Sequence, residues 1–388
     1  AAKAFAAVRS TDAEYLHVPS TYLMAEALFR QESYVEAAEA YSAVLEAGEA
    51  GSEYERDARY GLVWSAWKRG DRVATIAAAE SFLATHAKDD QAGEIAFLCG
   101  EAQLESDRPE EALRWYETVR EGDYVEGALR GAAFAVAALG DNLGSAERFQ
   151  AYLERFPKGR FAAEAALQCG VQLVRAERFN QAVSVLLRPE APQSAVADYW
   201  RSAALAGSGE HERALAAALE GLDKEPDEAL EAQLRTAAGD ALFELGRGEE
   251  AARFYEQSGN AYAVHAAAVA RLNAGDVEEA ERLARALLAG EAGTAGAPYR
   301  AQALTTHAEA LFRLERYTDA ELPLRTLLAE AQPGGDGEPP ATQVDSAVHA
   351  RAVSRLAWCR WYADDMELAG TLFANVAENP DAGAEERV

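Results

Sequence analysis

The sequence predicts an all-α protein, an α-solenoid in which about ten helix hairpins stack on one another. Apolar residues make up 49% of the 388 positions, and much of this share is alanine, which favours helix and buries little area per residue. Small residues recur in pairs at a nearly constant spacing, and glycine or acidic residues lie between the two members of a pair. These three observations are typical of stacked helical repeats.

A small residue marks the start of the second helix in each predicted hairpin. It recurs at intervals of 29 to 49 residues, with an average of about 37, which is within the range of helical repeats. The ten positions are Ala37, Thr75, Ala112, Ala146, Ala182, Ala214, Ala251, Ala280, Ala320 and Ala369.

A second small residue lies twelve positions before each of these, on the first helix of the hairpin. Two helices joined by a short turn can approach closely when each presents a small side chain. The positions are Ala25, Val63, Gly100, Phe134, Gly170, Ser202, Gly239, Ala268, Ala308 and Ala357. Because Val63 and Phe134 are large, we expect altered packing angles in the second and fourth hairpins.

Short breaks separate the two helices of a hairpin. Examples are Arg69-Gly70-Asp71, Gly140-Asp141-Asn142 and Leu245-Gly246-Arg247. Glycine ends a helix in a left-handed conformation, and an acidic residue favours the start of the next helix. Larger apolar residues four and seven positions after the small residue, such as Tyr41 and Val44, are expected to pack against the neighbouring hairpin.

The spacing of these small residues resembles that of the tetratricopeptide repeat. The best copy runs from Ala238 to Gly246 and continues from Glu249 to Tyr255. The resemblance covers almost the whole chain in about ten degenerate copies, and it implies a right-handed superhelix of tetratricopeptide-like hairpins.

The repeats suggest the following domain organisation. We expect residues 1–18 to end a preceding repeat, 19–190 to hold repeats one to five, 191–330 repeats six to nine, 331–345 a Gly/Pro loop, and 346–388 repeat ten. No polar capping helix follows repeat ten, although arrays need such caps for solubility. We therefore expect the array to be truncated, or its ends to be covered by a partner.

The sequence contains no spacing typical of a catalytic, cofactor or metal site. It has no P-loop, GxGxxG, HExxH or GxSxG motif, and no two histidines lie three or four residues apart. We therefore predict a protein that is not an enzyme and that has no cofactor and no metal. Cys99 and Cys169 precede small residues of the repeat and are predicted to be buried and inert, whereas Cys359 is expected to be more exposed.

The charge restricts the choice of partner. The formal net charge is −28, so nucleic acid and anionic membrane surfaces are disfavoured, while basic or apolar peptides and proteins are favoured. No run of eighteen apolar residues occurs, and direct membrane insertion is not expected.

The family resemblance also implies a binding surface. In tetratricopeptide proteins the first helix of each hairpin lines a concave groove that binds peptides. The corresponding residues here are Tyr22, Glu26, Arg30, Tyr60, Trp64, Lys68, Phe97, Glu101, Tyr199, Asp240, Glu309, Arg313 and Trp358. Family members that hold an acidic C-terminal peptide carry lysine and asparagine in such positions, so Tyr22, Glu26, Tyr60 and Trp64 disfavour a carboxylate clamp.

One segment favours a particular cellular setting. Residues 151–166, with the Phe156-Pro157 turn, resemble a repeat sub-type of bacterial envelope proteins that includes outer-membrane assembly and Tol–Pal-associated lipoproteins. The sequence therefore predicts a protein-binding scaffold in a bacterial envelope or periplasm, with the cytoplasm as the alternative location.

Two other functions remain open at this point. The chain could be the repeat segment of a larger enzyme or signalling protein whose active domain lies outside residues 1–388. It could also be a structural solenoid that self-assembles into oligomers through its uncapped ends.

Overall fold

The computed structural model describes Lys3 and residues 16–47, 53–289, 299–331 and 344–378. Within these residues the chain consists of helices joined by short connections and forms no strand. The chain divides into two compact units, Ala1–Pro192 and Gln193–Val388. The predicted all-α solenoid is confirmed. Most of the predicted segments 1–18 and 331–345 lie outside the described residues.

The first unit contains five helix hairpins. They are α1 (His17–Arg30) with α2 (Tyr34–Ala47), α3 (Glu53–Lys68) with α4 (Arg72–His86), α5 (Ala92–Glu105) with α6 (Pro109–Thr118), α7 (Val125–Ala138) with α8 (Asn142–Arg155), and α9 (Ala162–Arg175) with α10 (Phe179–Leu186).

The second unit also contains five hairpins in its described part. They are α11 (Ala195–Gly207) with α12 (His211–Leu222), α13 (Glu228–Glu244) with α14 (Gly248–Ser258), α15 (Ala261–Ala274) with α16 (Val277–Ala289), α17 (Arg300–Arg313) with α18 (Tyr317–Glu330), and α19 (Ser346–Tyr362) with α20 (Met366–Glu378).

The turn of each of these ten hairpins contains one residue with positive φ. In five turns this residue is the glycine that the sequence suggested, for example Gly140 with φ +82°. In the other five it is an acidic residue, such as Glu177 with φ +57°. Asp71 and Asp141 then cap the following helices, since their carboxylates accept hydrogen bonds from the backbone N–H groups of Ala74 (2.9 Å) and Gly144 (2.8 Å).

Close helix approach depends on the small residues of the first helices. A Cβ atom added at Gly100 would lie 2.7 Å from the Tyr116 ring, and one added at Gly239 would lie 2.6 Å from the Tyr255 ring. In each case the large side chain belongs to the second helix, four positions after its small residue. The paired spacing therefore reflects a steric fit, as predicted.

The fourth hairpin differs from the prediction by one residue. In the other nine hairpins the small residue of the second helix comes five positions after the positive-φ residue, and five positions after Gly140 is Ser145, not Ala146. Its partner is Ala133 rather than Phe134, and the Ser145 hydroxyl donates to the Ala133 carbonyl at 2.8 Å. Ser145 and Ala146 are adjacent and both small, so the sequence pattern could be fitted to either residue.

First helices of successive hairpins contact one another directly. The contacts join α1 to α3, α3 to α5 and α5 to α7 in the first unit, and α11 to α13 and α15 to α17 in the second. We call the surface that these helices present the first-helix face and treat it separately in each unit.

Candidate functional site

The predicted groove residues all lie on first helices. Tyr22, Glu26 and Arg30 are on α1, Tyr60, Trp64 and Lys68 on α3, Phe97 and Glu101 on α5, Tyr199 on α11, Asp240 on α13, Glu309 and Arg313 on α17, and Trp358 on α19. The structure thus places eight of them on the face of the first unit and five on that of the second. Their role as partner contacts stays a prediction.

An acid directly after the small residue forms the same hydrogen bond in three hairpins. A tyrosine hydroxyl of the second helix donates to this acid, and the pairs are Tyr41 with Glu26 (2.5 Å), Tyr116 with Glu101 (2.5 Å) and Tyr255 with Asp240 (2.8 Å). All three tyrosines are buried. These acids therefore hold the two helices of a hairpin together while their carboxylates remain on the first-helix face.

In the first unit, the predicted groove residues Tyr60 and Phe97 contact two residues that were not predicted, Glu94 and Tyr124. Glu94 accepts hydrogen bonds from Tyr60 (3.1 Å) and Tyr124 (2.7 Å). Tyr124 also packs against Phe97, with ring centroids 5.5 Å apart. This cluster joins α3, α5 and the start of α7, and its three aromatic side chains are partly buried.

Two of the remaining predicted residues of this unit are exposed, and the others are partly buried. Lys68 and Arg30 are exposed at the ends of their helices. The Lys68 ammonium lies 5.6 Å from the centre of the Trp64 ring, which is half-buried. Tyr22 packs against Tyr54 at 5.3 Å, and burial raises the pKa of Tyr22 to about 12. Tyr22 therefore remains a neutral hydrogen-bond donor at physiological pH.

The second unit carries a cleft beside Asp240. It has a volume of about 290 Å³ and is lined by Asp240, Phe243, Glu244, Tyr255, Tyr262, His265, Ala266 and Val269. Both Tyr255 and Tyr262 donate to the same carboxylate oxygen, Asp240 Oδ1, at 2.8 and 2.9 Å. Burial raises the pKa of Asp240, the two hydrogen bonds oppose this rise, and the charge of Glu244 adds to it.

A second cleft adjoins the first at His265. Its volume is about 280 Å³, and its lining includes Ala301, Gln302, Thr305, Thr306, Asp345, Val348 and Arg351 from α17 and the region of α19. His265 lines both clefts and stacks on Tyr299, with centroids 6.3 Å apart. Burial lowers the pKa of His265, which favours the neutral form of its ring. The two clefts together extend across α13, α15, α17 and α19.

The other predicted residues of the second unit take part in ion pairs or aromatic packing. Glu309 pairs with Arg313 (2.9 Å) and Arg355 (2.8 Å). Trp358 packs edge-on against Phe373 at 5.1 Å and is 36% exposed. Tyr199 packs against Trp200 at 5.3 Å.

The sequence interpretation missed two residues that shape the clefts, Tyr262 and His265. His265 lies three positions before the small residue Ala268, as Tyr22, Tyr60 and Tyr199 do before theirs. That shared position was the signal that could have identified it. Tyr262 lies one further turn earlier and reaches Asp240 on the preceding first helix, a contact that a single repeat copy does not contain.

All three cysteines are buried and free of disulfides. Burial raises the pKa of Cys99 to about 12 and those of Cys169 and Cys359 to about 11. The expectation for Cys359 was wrong: it packs in the core formed with Leu304, Leu324 and other residues. Within the part of the chain that the structure describes, no group of three His, Cys, Asp or Glu residues could hold a metal ion.

None of the helices in the described part of the chain combines the length and the apolarity that a bilayer crossing requires.

Comparisons with known proteins agree with the repeat assignment. Residues 17–171, less than half of the chain, match the YfiO family, which is described as an outer membrane lipoprotein. This segment includes residues 151–166, which had indicated the envelope sub-type. No curated protein matches the chain.

Two solved structures similar to the chain show how far the likeness extends. MamA 41-end from Desulfovibrio magneticus RS-1 is 23% identical, with a TM-score of 0.39 over 43% of this chain and 92% of its own. A tetratricopeptide repeat protein from Parabacteroides merdae ATCC 43184 is 17% identical, with a TM-score of 0.41 over 62% of this chain and 91% of its own. With its ten hairpins of characteristic spacing, the chain is a tetratricopeptide-type repeat protein, and its residues 17–171 are similar to an outer membrane lipoprotein family.

Proposed function

We propose that this protein is a non-catalytic scaffold that binds a segment of a partner protein on the first-helix face, as part of a bacterial envelope assembly. The observation that supports this most strongly is the pair of adjacent clefts in the second unit, which share His265 and extend over four first helices. Concave sites lined by apolar and aromatic groups with a few polar groups are typical of binding surfaces.

The arrangement of the clefts favours binding of an extended peptide segment over binding of a small metabolite. The two clefts adjoin at His265 and follow successive first helices, and neither is an enclosed cavity. Their lengthwise arrangement suits successive side chains of one peptide. The charge of −28 favours a basic or apolar segment and disfavours nucleic acid.

The envelope location is supported by the match of residues 17–171 to an outer membrane lipoprotein family. Fractionation of cells that naturally produce the protein tests this part of the proposal. Recovery in the membrane or periplasmic fraction is expected, whereas recovery with cytoplasmic markers would contradict it.

Binding is tested by affinity capture from the same cells, with quantification by mass spectrometry. Tyr262→Ala removes an exposed ring from the cleft wall, and we expect it to lower partner recovery at least fivefold. Leu322→Ala is the control, because Leu322 is 73% exposed on the second helix α18. Equal recovery with the wild type and Tyr262→Ala would refute binding at this face.

A further inference from the structure

The cleft beside Asp240 lacks a positive charge that equivalent positions in the chain possess. Asp240, Glu26 and Glu101 occupy the same repeat position, and each accepts a hydrogen bond from a buried tyrosine. This makes the three sites internal comparisons for one another.

The positive charge of an arginine acts on the tyrosine–acid pair at two of these sites. Burial raises the pKa of Glu101, but the guanidinium groups of Arg130 and Arg72 lower it. At the first site burial and Glu26 raise the pKa of Tyr41, and the positive charge of Arg30 opposes them. Each tyrosine–acid pair thus has a cation nearby.

In the described part of the chain, no lysine or arginine lines the third site. None of the eight residues that line the Asp240 cleft is lysine or arginine, and the neighbouring charge is a second acid, Glu244. The hydroxyls of Tyr255 and Tyr262 both bind Oδ1, and among the described residues no other group donates a hydrogen bond to Asp240. A partly buried carboxylate without a cation is costly, and a nearby positive charge reduces that cost.

The walls of the cleft suit a cationic side chain. Phe243, Tyr262 and His265 supply aromatic rings, and Tyr262 is 39% exposed. A cation is attracted to the face of an aromatic ring and forms charge-assisted hydrogen bonds with a carboxylate. The cleft offers both interactions within one space of about 290 Å³.

We infer that this cleft binds a cationic side chain, an arginine or a lysine, from the segment held on the first-helix face, and that Asp240 and Glu244 recognise its charge. The inference rests on the proposed function and specifies the chemistry of the partner. In the complex, the positive charge of the ligand would stabilise the Asp240 carboxylate, as the charges of Arg130 and Arg72 favour the ionised form of Glu101.

The test uses the full chain and four fluorescent twelve-residue peptides of alternating leucine and serine. They differ at one central position, which is arginine, its neutral analogue citrulline, lysine or its neutral analogue norleucine. Fluorescence anisotropy measures each affinity. We expect the arginine or the lysine peptide to bind about tenfold tighter than its neutral analogue. The preferred cation is the one whose charged peptide has the larger affinity ratio over its neutral analogue.

Three variants assign this preference to the cleft. Asp240→Asn keeps an acceptor for both tyrosines and is expected to remove most of the preference. Glu244→Gln, at an exposed side chain, is expected to reduce it about threefold without disturbing those hydrogen bonds. Glu278→Gln removes the same charge from an exposed site on α16 and should leave the preference unchanged.

Equal affinity for the charged and neutral peptides, including binding too weak to detect for both, would overturn the inference. An unchanged preference in both Asp240→Asn and Glu244→Gln would do so as well. If Tyr262→Ala still lowers capture of the natural partner, the proposed function stands without the cationic preference. If Tyr262→Ala has no effect on capture, the proposed function itself fails.

Discussion

Gly239→Ala tests the steric fit on which the hairpins depend. Gly239 is buried in the interior of α13, and an alanine Cβ there would lie 2.6 to 3.0 Å from three atoms of the Tyr255 ring. Real Cβ atoms do not approach this closely, so the ring or the helix has to move. Tyr255 is only 2% exposed, and its hydroxyl is fixed by Asp240, so little space is available for that movement.

The expected magnitude is a balance of opposing effects. Alanine improves helix propensity over glycine by about 1 kcal/mol. Overpacking of a close-packed interior costs about 1–3 kcal/mol, and displacement of the ring would weaken a hydrogen bond to a charged group worth about 1.5–3 kcal/mol. We therefore expect Gly239→Ala to lower the free energy of unfolding by about 1–3 kcal/mol.

Urea denaturation followed by far-UV circular dichroism measures this change. Gly370→Ala is the matched control, because Gly370 lies in the interior of α20 and a Cβ atom there would meet no atom within 4 Å. The same substitution should stabilise the protein at Gly370 by up to about 1 kcal/mol. If Gly239→Ala also proves stabilising, the claim that small residues permit close helix approach is wrong.

Three further predictions concern a turn, the thiols and the first unit. Glu177→Gly should raise the free energy of unfolding by about 0.5–1 kcal/mol, because a left-handed residue with a Cβ atom is strained. Urea denaturation measures this change, and a lower free energy of unfolding would contradict the turn geometry. The three buried thiols, Cys99, Cys169 and Cys359, should react slowly with a thiol reagent at pH 8, because this pH is below their raised pKa values. They should react readily once the protein is unfolded in denaturant. Fast reaction of the native protein would refute their burial. Trp64→Ala should weaken partner capture without loss of helical circular dichroism, and unchanged capture would remove Trp64 from the binding surface.

The hairpins could be predicted from sequence because the packing of two helices on one another is local. The small residues, the turn and the large residue that fills the space all lie within about 20 positions, as in Gly239, Gly246 and Tyr255. The register of the fourth hairpin was misassigned because the pattern could be fitted to either of two adjacent small residues, Ser145 and Ala146. In five turns the left-handed residue is acidic and not glycine. The packing of the two helices therefore imposes this conformation, and glycine only makes it easier to adopt.

The binding face was less predictable because its properties depend on neighbouring repeats. The pattern correctly placed Asp240 on a first helix, but Tyr262 reaches it from the next hairpin, which also contributes His265 to the cleft wall. Whether an acid has a cationic neighbour depends on side chains from adjacent helices, as Arg130 beside Glu101 shows. Cys359 was misjudged for a similar reason, since residues of the preceding hairpin cover it.

Site-specific photo-crosslinking tests the central claim most directly. A photoreactive amino acid is introduced in separate variants at Val269, in the Asp240 cleft, and at Leu322, on the exposed side of a second helix. Illumination in the producing cells should join the partner to the Val269 variant and not to the Leu322 variant. Crosslinks of equal yield at both positions, or at Leu322 alone, would show that the partner does not bind the first-helix face.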